Sequence, residues 1–219
     1  MLVLRAIMLG VAMVALTSPA DAMVGDDRND TDVPIPMPRL VGYALPVAEP
    51  LVLEPWLLPG APRAYRGGVH EGIDFSAPYG MPVHAARAGV IVRIDTDYVE
   101  WSVQERAVAL ATAALAGWTP PDVLDRLRGR QVWIDHGDSV VTRYAHLSKV
   151  AALHVGDRVA AGDLVGNVGA SGFPEGGPHL HFEIRVGDGY LGEDLSPEEV
   201  RYVVARAFTP YVGFAVRGF

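Results

Sequence analysis

Between Gly67 and Val186 the chain advances in short runs of β-branched and aromatic residues, each cut off by glycine, and this texture limits it to an all-β or mostly β domain. The clearest strands are Val90-Ile91-Val92-Arg93-Ile94, Gln131-Val132-Trp133-Ile134, Val140-Val141-Thr142-Arg143-Tyr144 and Leu180-His181-Phe182-Glu183-Ile184. Gly80-x-x-Val83-x-Ala85 is echoed by Gly156-x-x-Val159-x-Ala161, a weak internal repeat. With 219 residues and 50% apolar side chains, the chain can bury one sizeable core. It contains no cysteine, which excludes disulfides, thiolate metal sites and a nucleophilic thiol. Any metal must therefore be held by His, Asp or Glu. A net charge of -8 argues against an electrostatic grip on nucleic acid or on an anionic membrane.

Two helical stretches interrupt the β texture. Ser102 to Ala116 is rich in Ala and Leu and stops at Gly117, and Thr119-Pro120-Pro121-Asp122 supplies a cap and first turn for a second helix reaching about Leu127. Together they read as a helical hairpin, residues 102–128, inserted between two strands. Ser196-Pro197-Glu198-Glu199 is a capping box that opens a third helix, running to about Phe208. At the other end, Arg5, the apolar run Ala6 to Leu16 and the small-x-small site Ala20-Asp21-Ala22 read as a signal peptide over residues 1–22. That run is shorter than the roughly 20 residues that span a bilayer, so no membrane anchor is expected after cleavage, and the protein is expected to be exported to the periplasm or the cell exterior. A polar, proline-bearing leader follows over 23–38. The remaining organisation expected is a domain over 39–219: a packing segment at 39–66, a motif-bearing core at 67–186, and a C-terminal helix and tail at 187–219.

The chemistry lies in the histidines. In Pro178-His179-Leu180-His181-Phe182-Glu183-Ile184 polar and apolar residues alternate, so a strand puts His179, His181 and Glu183 on one face and Leu180, Phe182 and Ile184 in the core. Residues two apart on a strand are separated by roughly 6.6 Å, close enough for both imidazoles to address one metal and its water. A solvated strand face carrying two histidines would read the same way. His70-Glu71-Gly72-Ile73-Asp74 lacks the second His of helical zinc-peptidase motifs, and the neighbouring glycines disfavour a helix. A straight strand would hold His70 and Asp74 about 13 Å apart, so a shared ion requires a bend, which Gly72 can supply. Tyr144-Ala145-His146-Leu147 adds a histidine at a strand end, whereas His84, His136 and His154 sit at glycine-rich turns and are left out of the site.

Taken together, His70-x-x-x-Asp74, Tyr144-Ala145-His146-Leu147 and Gly177-Pro178-His179-Leu180-His181-Phe182-Glu183-Ile184 resemble the lysostaphin-type zinc metalloendopeptidases that cleave bacterial cell-wall peptides. Pro82-Val83-His84-Ala85-Ala86, Ile134-Asp135-His136-Gly137 and the glycine-rich run Gly166 to Gly172 support the likeness, which spans about Gly67 to Val186. The resemblance implies an antiparallel β-sheet or sandwich core. It makes His70, Asp74 and His181 the ligands of one Zn²⁺ per chain and His146 and His179 the catalytic pair, with the base between them left open. Two His and one carboxylate suit zinc and leave a fourth position for water. Glu183 and Asp135 become candidate outer partners of the ligands. The implied substrate is the peptide stem or cross-link of peptidoglycan. Competing readings are a non-catalytic module that binds the cell wall or activates another hydrolase, and a secreted peptidase aimed at a protein or at a competitor's wall. The sequence departs from the family pattern in the 102–128 insertion, a possible wall or lid of the substrate groove, in the loop Phe173-Pro174-Glu175-Gly176, and in having no tandem cell-wall-binding repeat.

Overall fold

The structure, a computed structural model, describes residues 40–208. The expected signal peptide, the leader and the tail beyond residue 208 lie outside the described residues. From Leu40 the chain runs irregularly to β1 (Pro62–Arg63) and β2 (Gly68–Val69), which pair around a single 3-10 turn, Ala64–Arg66. Then come β3 (Ile73–Ser76), β4 (Pro82–His84), β5 (Gly89–Ile94), α1 (Val103–Ala116), α2 (Pro121–Arg128), β6 (Val132–Asp135), β7 (Val140–Ala145) and β8 (Leu147–Val150). The last elements are β9 (Arg158–Val159), β10 (Leu164–Val168), β11 (His179–Val186), β12 (Gly189–Tyr190) and α3 (Pro197–Ala207). Among the described residues every strand pairing is antiparallel. A seven-stranded sheet runs in the order β12-β11-β7-β6-β5-β9, with β3 also pairing with β11, beside a three-stranded sheet β4-β10-β8. The fold is thus mainly β, as expected, and the helical hairpin leaves from β5 and returns into β6, its antiparallel neighbour.

β11 organises this arrangement. Along one edge it pairs with β7, and along the other with β3 over its first half and β12 over its last. Having both edges occupied, it is buried over five consecutive residues, Leu180 to Ile184, on both faces. Its apolar face puts Phe182 among Phe75, Tyr144 and Phe208, with ring centroids 5.2–6.3 Å apart. Such tilted and edge-on aromatic contacts add to the burial term. α3 closes this core with Val200, Val203, Val204 and Ala207, the i, i+3, i+4, i+7 stripe of an amphipathic helix. Its expected capping box forms, Ser196 accepting from the Glu199 N–H while the Glu199 carboxylate accepts from the Ser196 N–H. From the irregular N-terminal stretch Leu40, Tyr43, Val47 and Leu58 join the same core.

One local expectation is corrected. α2 begins after Pro120 with no side-chain cap, because the Thr119 hydroxyl is committed elsewhere, donating to the Arg66 carbonyl (2.7 Å) and accepting from the Arg66 guanidinium (2.8 Å). α1 meets the same turn: Gly67, at φ +64, lies so close to the C-terminal turn of α1 that a Cβ there would fall 2.5 Å from the Ala113 carbonyl oxygen. Among the described residues no helix is long and apolar enough to cross a membrane.

Phe182, fully buried at the centre of the ring cluster, sets the stability expected of the core. Phe182→Ala is expected to cost about 3–5 kcal/mol, read as a lower urea midpoint at unchanged m-value. A cost under about 1 kcal/mol would mean the cluster packs too loosely to matter.

Candidate active site

The polar face of β11 meets the end of β3. Their register sets Asp74 opposite His181 and Ser76 opposite His179, so one carboxylate and one imidazole face each other across a strand pair. His70 comes from the turn before β3, where the chain bends at Gly72. Gly72 is needed for clearance rather than for a left-handed backbone. A Cβ there would lie 2.6 Å from the Phe182 carbonyl oxygen and 2.8 Å from Cε1 of His181. The bend brings Nε2 of His70 to 2.9 Å from Oδ1 of Asp74, and Nδ1 of His181 stands 2.9 Å from each of these atoms. His146 follows β7 in a left-handed conformation, φ +60, a region that residues other than glycine seldom adopt. Its backbone N–H donates to the Arg128 carbonyl at 2.8 Å.

Hydrogen bonds outside this group fix the tautomers. His70 donates Nδ1–H to the Leu58 carbonyl (3.0 Å), His146 to the Ser171 carbonyl (2.8 Å) and His179 to the Gly177 carbonyl (2.9 Å), while His181 donates Nε2–H to Glu183 Oε1 (3.1 Å). A carbonyl or carboxylate oxygen can only accept, so each of these ring nitrogens carries the hydrogen. In a neutral ring the other nitrogen is then a lone pair turned inward, and at His70 and His181 it faces Asp74 Oδ1 at 2.9 Å. At the Asp74 carboxylate this leaves three electron-pair donors, His70 Nε2, His181 Nδ1 and Asp74 Oδ1, crowded together with no hydrogen to share among neutral rings. A cation satisfies all three, and the chemistry of the set fits a metal ion. The ionisation of the cluster agrees. Burial pulls His181 down, but Asp74 and Glu183 more than offset it and raise its pKa, so the site calls for positive charge. Burial would raise Asp74, yet His70 and His181 hold its carboxyl well below the usual range. His146 is pushed well below the usual imidazole range by burial and by its neighbours His179 and His181, and so is neutral. Its ring lies 4.6 Å, centroid to centroid, from that of His179.

Beneath His181 lies a buried charge cluster. Glu183 is fully buried, and although burial opposes ionisation, Arg128 first and then His181 and Arg143 keep it ionised, well below the usual carboxylate range. Arg128 bridges it to Glu71, which also accepts from Arg185 at 2.6 Å. The expected contact of Glu183 with a candidate ligand is therefore made. That of Asp135 is not: Oδ1 of Asp135 accepts from the Gly137 N–H at 2.8 Å and serves the β6–β7 turn, away from the four rings. Of the histidines left out, His136 spans Ala88 and Thr142, and none of the three lines the cleft.

The inward nitrogens open into a cleft of about 470 Å³. One wall carries Trp56, Arg63 and Tyr65, another Leu124, Leu127 and Arg128 of α2, and Phe173 of the loop before β11 completes it. Tyr65 and Phe173 stack across it with centroids 5.3 Å apart, and the Arg63 guanidinium reaches Asp74 Oδ2 at 3.4 Å. The insertion is thus a wall of the cleft. Arg128 carries no signal in the sequence, because an arginine in a short helix looks solvated and its partner Glu183 lies 55 residues on. Leu58, Ser171 and Gly177 act through backbone carbonyls, which no side-chain pattern betrays.

Comparison with known proteins places these residues among relatives. The family profile described as Peptidase family M23 matches residues 68–193. The chain is 32% identical over 132 residues to the DD-carboxypeptidase/endopeptidase Mpg of Neisseria meningitidis, covering 60% of this chain and 23% of that protein. It is 32% identical over 123 residues to lysostaphin of Staphylococcus staphylolyticus, covering 56% and 20%. The catalytic domain of lysostaphin from Staphylococcus simulans superposes with a TM-score of 0.42 at 27% identity, over 64% of this chain and 80% of that one. The chain spans about a quarter of the length of the curated relatives it matches.

The three-donor set predicts a measurable stabilisation. Zn²⁺, as a probe ion at about 100 times its dissociation constant, is expected to add about 2.7 kcal/mol to the unfolding free energy. Asp74→Asn and His181→Ala should lose that gain and His146→Ala should keep it. An undiminished gain in His181→Ala would put the ion elsewhere.

Proposed function

The chain belongs to peptidase family M23, and from that premise we propose that it is an exported, zinc-dependent endopeptidase hydrolysing amide bonds in peptidoglycan peptide cross-links. Relatives named as peptidoglycan DD-endopeptidases support the substrate, and the signal-like residues 1–22 support export. The catalytic unit is the domain over 39–219, behind the 23–38 leader. The observation that carries the reading is the convergence of His70, Asp74 and His181 at the floor of a cleft into which two more imidazole lone pairs point.

In this reading His70 Nε2, Asp74 Oδ1 and His181 Nδ1 hold the zinc ion, and Glu183 fixes the tautomer of His181 from behind. Zinc bound there supplies Lewis-acid polarisation of the scissile carbonyl and lowers the pKa of a water toward about 7. His146 and His179 do the proton work. With Nδ1–H given to a carbonyl, each ring offers Nε2 as an acceptor, and neutral His146 is ready to take a proton from the attacking water. A ring protonated in this way becomes a donor at Nε2, able to bond the developing oxyanion or pass the proton to the departing amine. No residue becomes acylated, since water is the nucleophile. The Trp56, Tyr65 and Phe173 rings and the α2 wall give the peptide an amphipathic channel that limits water around the scissile bond.

The test is release of soluble muropeptides from purified sacculi by the protein with and without added zinc. Zinc-dependent release is expected, abolished in His181→Ala and reduced roughly 100- to 10,000-fold in His146→Ala, with both variants folded. No release by folded, zinc-loaded protein would overturn the reading in favour of a module that activates another hydrolase.

A further inference from the structure

The inserted hairpin does more than wall the cleft, because both its ends bond to groups that orient the site. At its exit, Arg128 Nε donates to Glu183 Oε1 at 2.5 Å and its Nη2 to Glu71 Oε2 at 2.8 Å. Glu183 Oε1 is the atom that holds the Nε2–H of His181. The carbonyl of Arg128 accepts the backbone N–H of His146 at 2.8 Å, and the N–H of Arg130 donates to the Ser171 hydroxyl at 2.9 Å. The carbonyl of that same Ser171 receives Nδ1–H of His146. Immediately before the insertion, in the residues that lead into α1, Glu100 accepts the Gly172 N–H (2.8 Å) and the Trp101 indole N–H donates to the Gly172 carbonyl (2.8 Å). The Ser171–Gly172 peptide is thus gripped from both ends of the hairpin. Two glycines allow the approach: a Cβ on Gly129, at φ +67, would sit 2.3 Å from the Ser171 carbonyl oxygen, and one on Gly172, at φ +81, 2.3 Å from that of Leu127.

We propose that this insertion is a clamp that positions the site, orienting His181 through Arg128 and Glu183, and His146 through Ser171 and Gly172. The inference rests on the proposed roles of His181 as zinc ligand and His146 as proton carrier. A hairpin serving only as a wall needs apolar contact alone, whereas these are directional bonds that end on the two groups fixing the tautomers. Without Arg128, the remaining arginines reach only Oε2 of Glu183, Arg143 at 3.4 Å and Arg185 at 3.5 Å. Oε1 is then free to turn away from His181. Arg128 and Trp101 are positioning residues.

Arg128→Met, Arg128→Lys and Trp101→Phe test this in the full chain. Zinc affinity is measured by competition with a chromophoric chelator, and kcat and KM on a soluble cross-linked muropeptide, below the melting temperature of each variant. Arg128→Met is expected to weaken zinc binding about 10- to 100-fold and to lower kcat with little change in KM, and Arg128→Lys to recover part of both. Trp101→Phe keeps an aromatic side chain but loses the indole donor, so kcat is expected to fall about 3- to 10-fold with zinc affinity unchanged. If Arg128→Met does not fold, Arg128→Lys and Trp101→Phe decide. Zinc affinity and kcat within about twofold of the parent in folded variants would overturn the clamp and leave the peptidase reading standing. Weaker zinc binding in the Arg128 variants of a protein that cleaves no cross-link would uphold the clamp and sink the substrate.

Discussion

The centre of this molecule depends on where four imidazoles keep their hydrogens. His70, His146 and His179 each give Nδ1–H to a backbone carbonyl, and His181 gives Nε2–H to a fully buried carboxylate. A carbonyl in a packed loop cannot rotate away or become a donor, so it locks a tautomer more firmly than a hydroxyl would. The irregular parts of the chain therefore do as much as the strands. Leu58 lies in the proline-rich N-terminal stretch, and Ser171 and Gly177 lie in the loop before β11, and together they decide which ring atoms face the cleft.

The electrostatics beneath the site follow from the same need. The chain carries a net charge of -8, yet Arg128, Arg143 and Arg185 crowd around Glu183 and Glu71. Arg143 also lies 3.8 Å from the centre of the Trp133 ring. Burying so many charges costs solvation that ion pairing seldom returns in full. What the cluster provides is direction: Glu183 is kept ionised and held by Oε1 against His181, steadying an imidazole whose other nitrogen faces the carboxylate of Asp74. Burial works the opposite way at His146, keeping that ring neutral and able to accept a proton.

How much of this was legible in the sequence varied with the range of the signal. Period-two alternation along Pro178 to Ile184 revealed a strand with both histidines on one face, because the pattern is local and strong. Glycine and serine punctuation likewise located α1 and α3 to within a residue or so. The Thr119 cap failed because a partner 53 residues away, Arg66, claims the hydroxyl. Asp135 failed because a turn N–H two residues on satisfies it first. Gly72 marks a bend in the sequence and the bend is there, but the reason only glycine fits is the backbone of β11 pressed against it. Arg128 and the carbonyl acceptors were invisible for a common reason: their partners are set by tertiary packing, not by spacing.

The central claim, that fixed acceptors leave four lone pairs directed inward, is open to direct test by long-range ¹H–¹⁵N correlation spectra of the histidine rings with and without zinc. The account predicts Nδ1–H tautomers for His70, His146 and His179 and an Nε2–H tautomer for His181. With zinc, only His70 Nε2 and His181 Nδ1 should shift to the metal-bound range. Zinc bound through Nε2 of His181, or rings exchanging freely between tautomers, would contradict it.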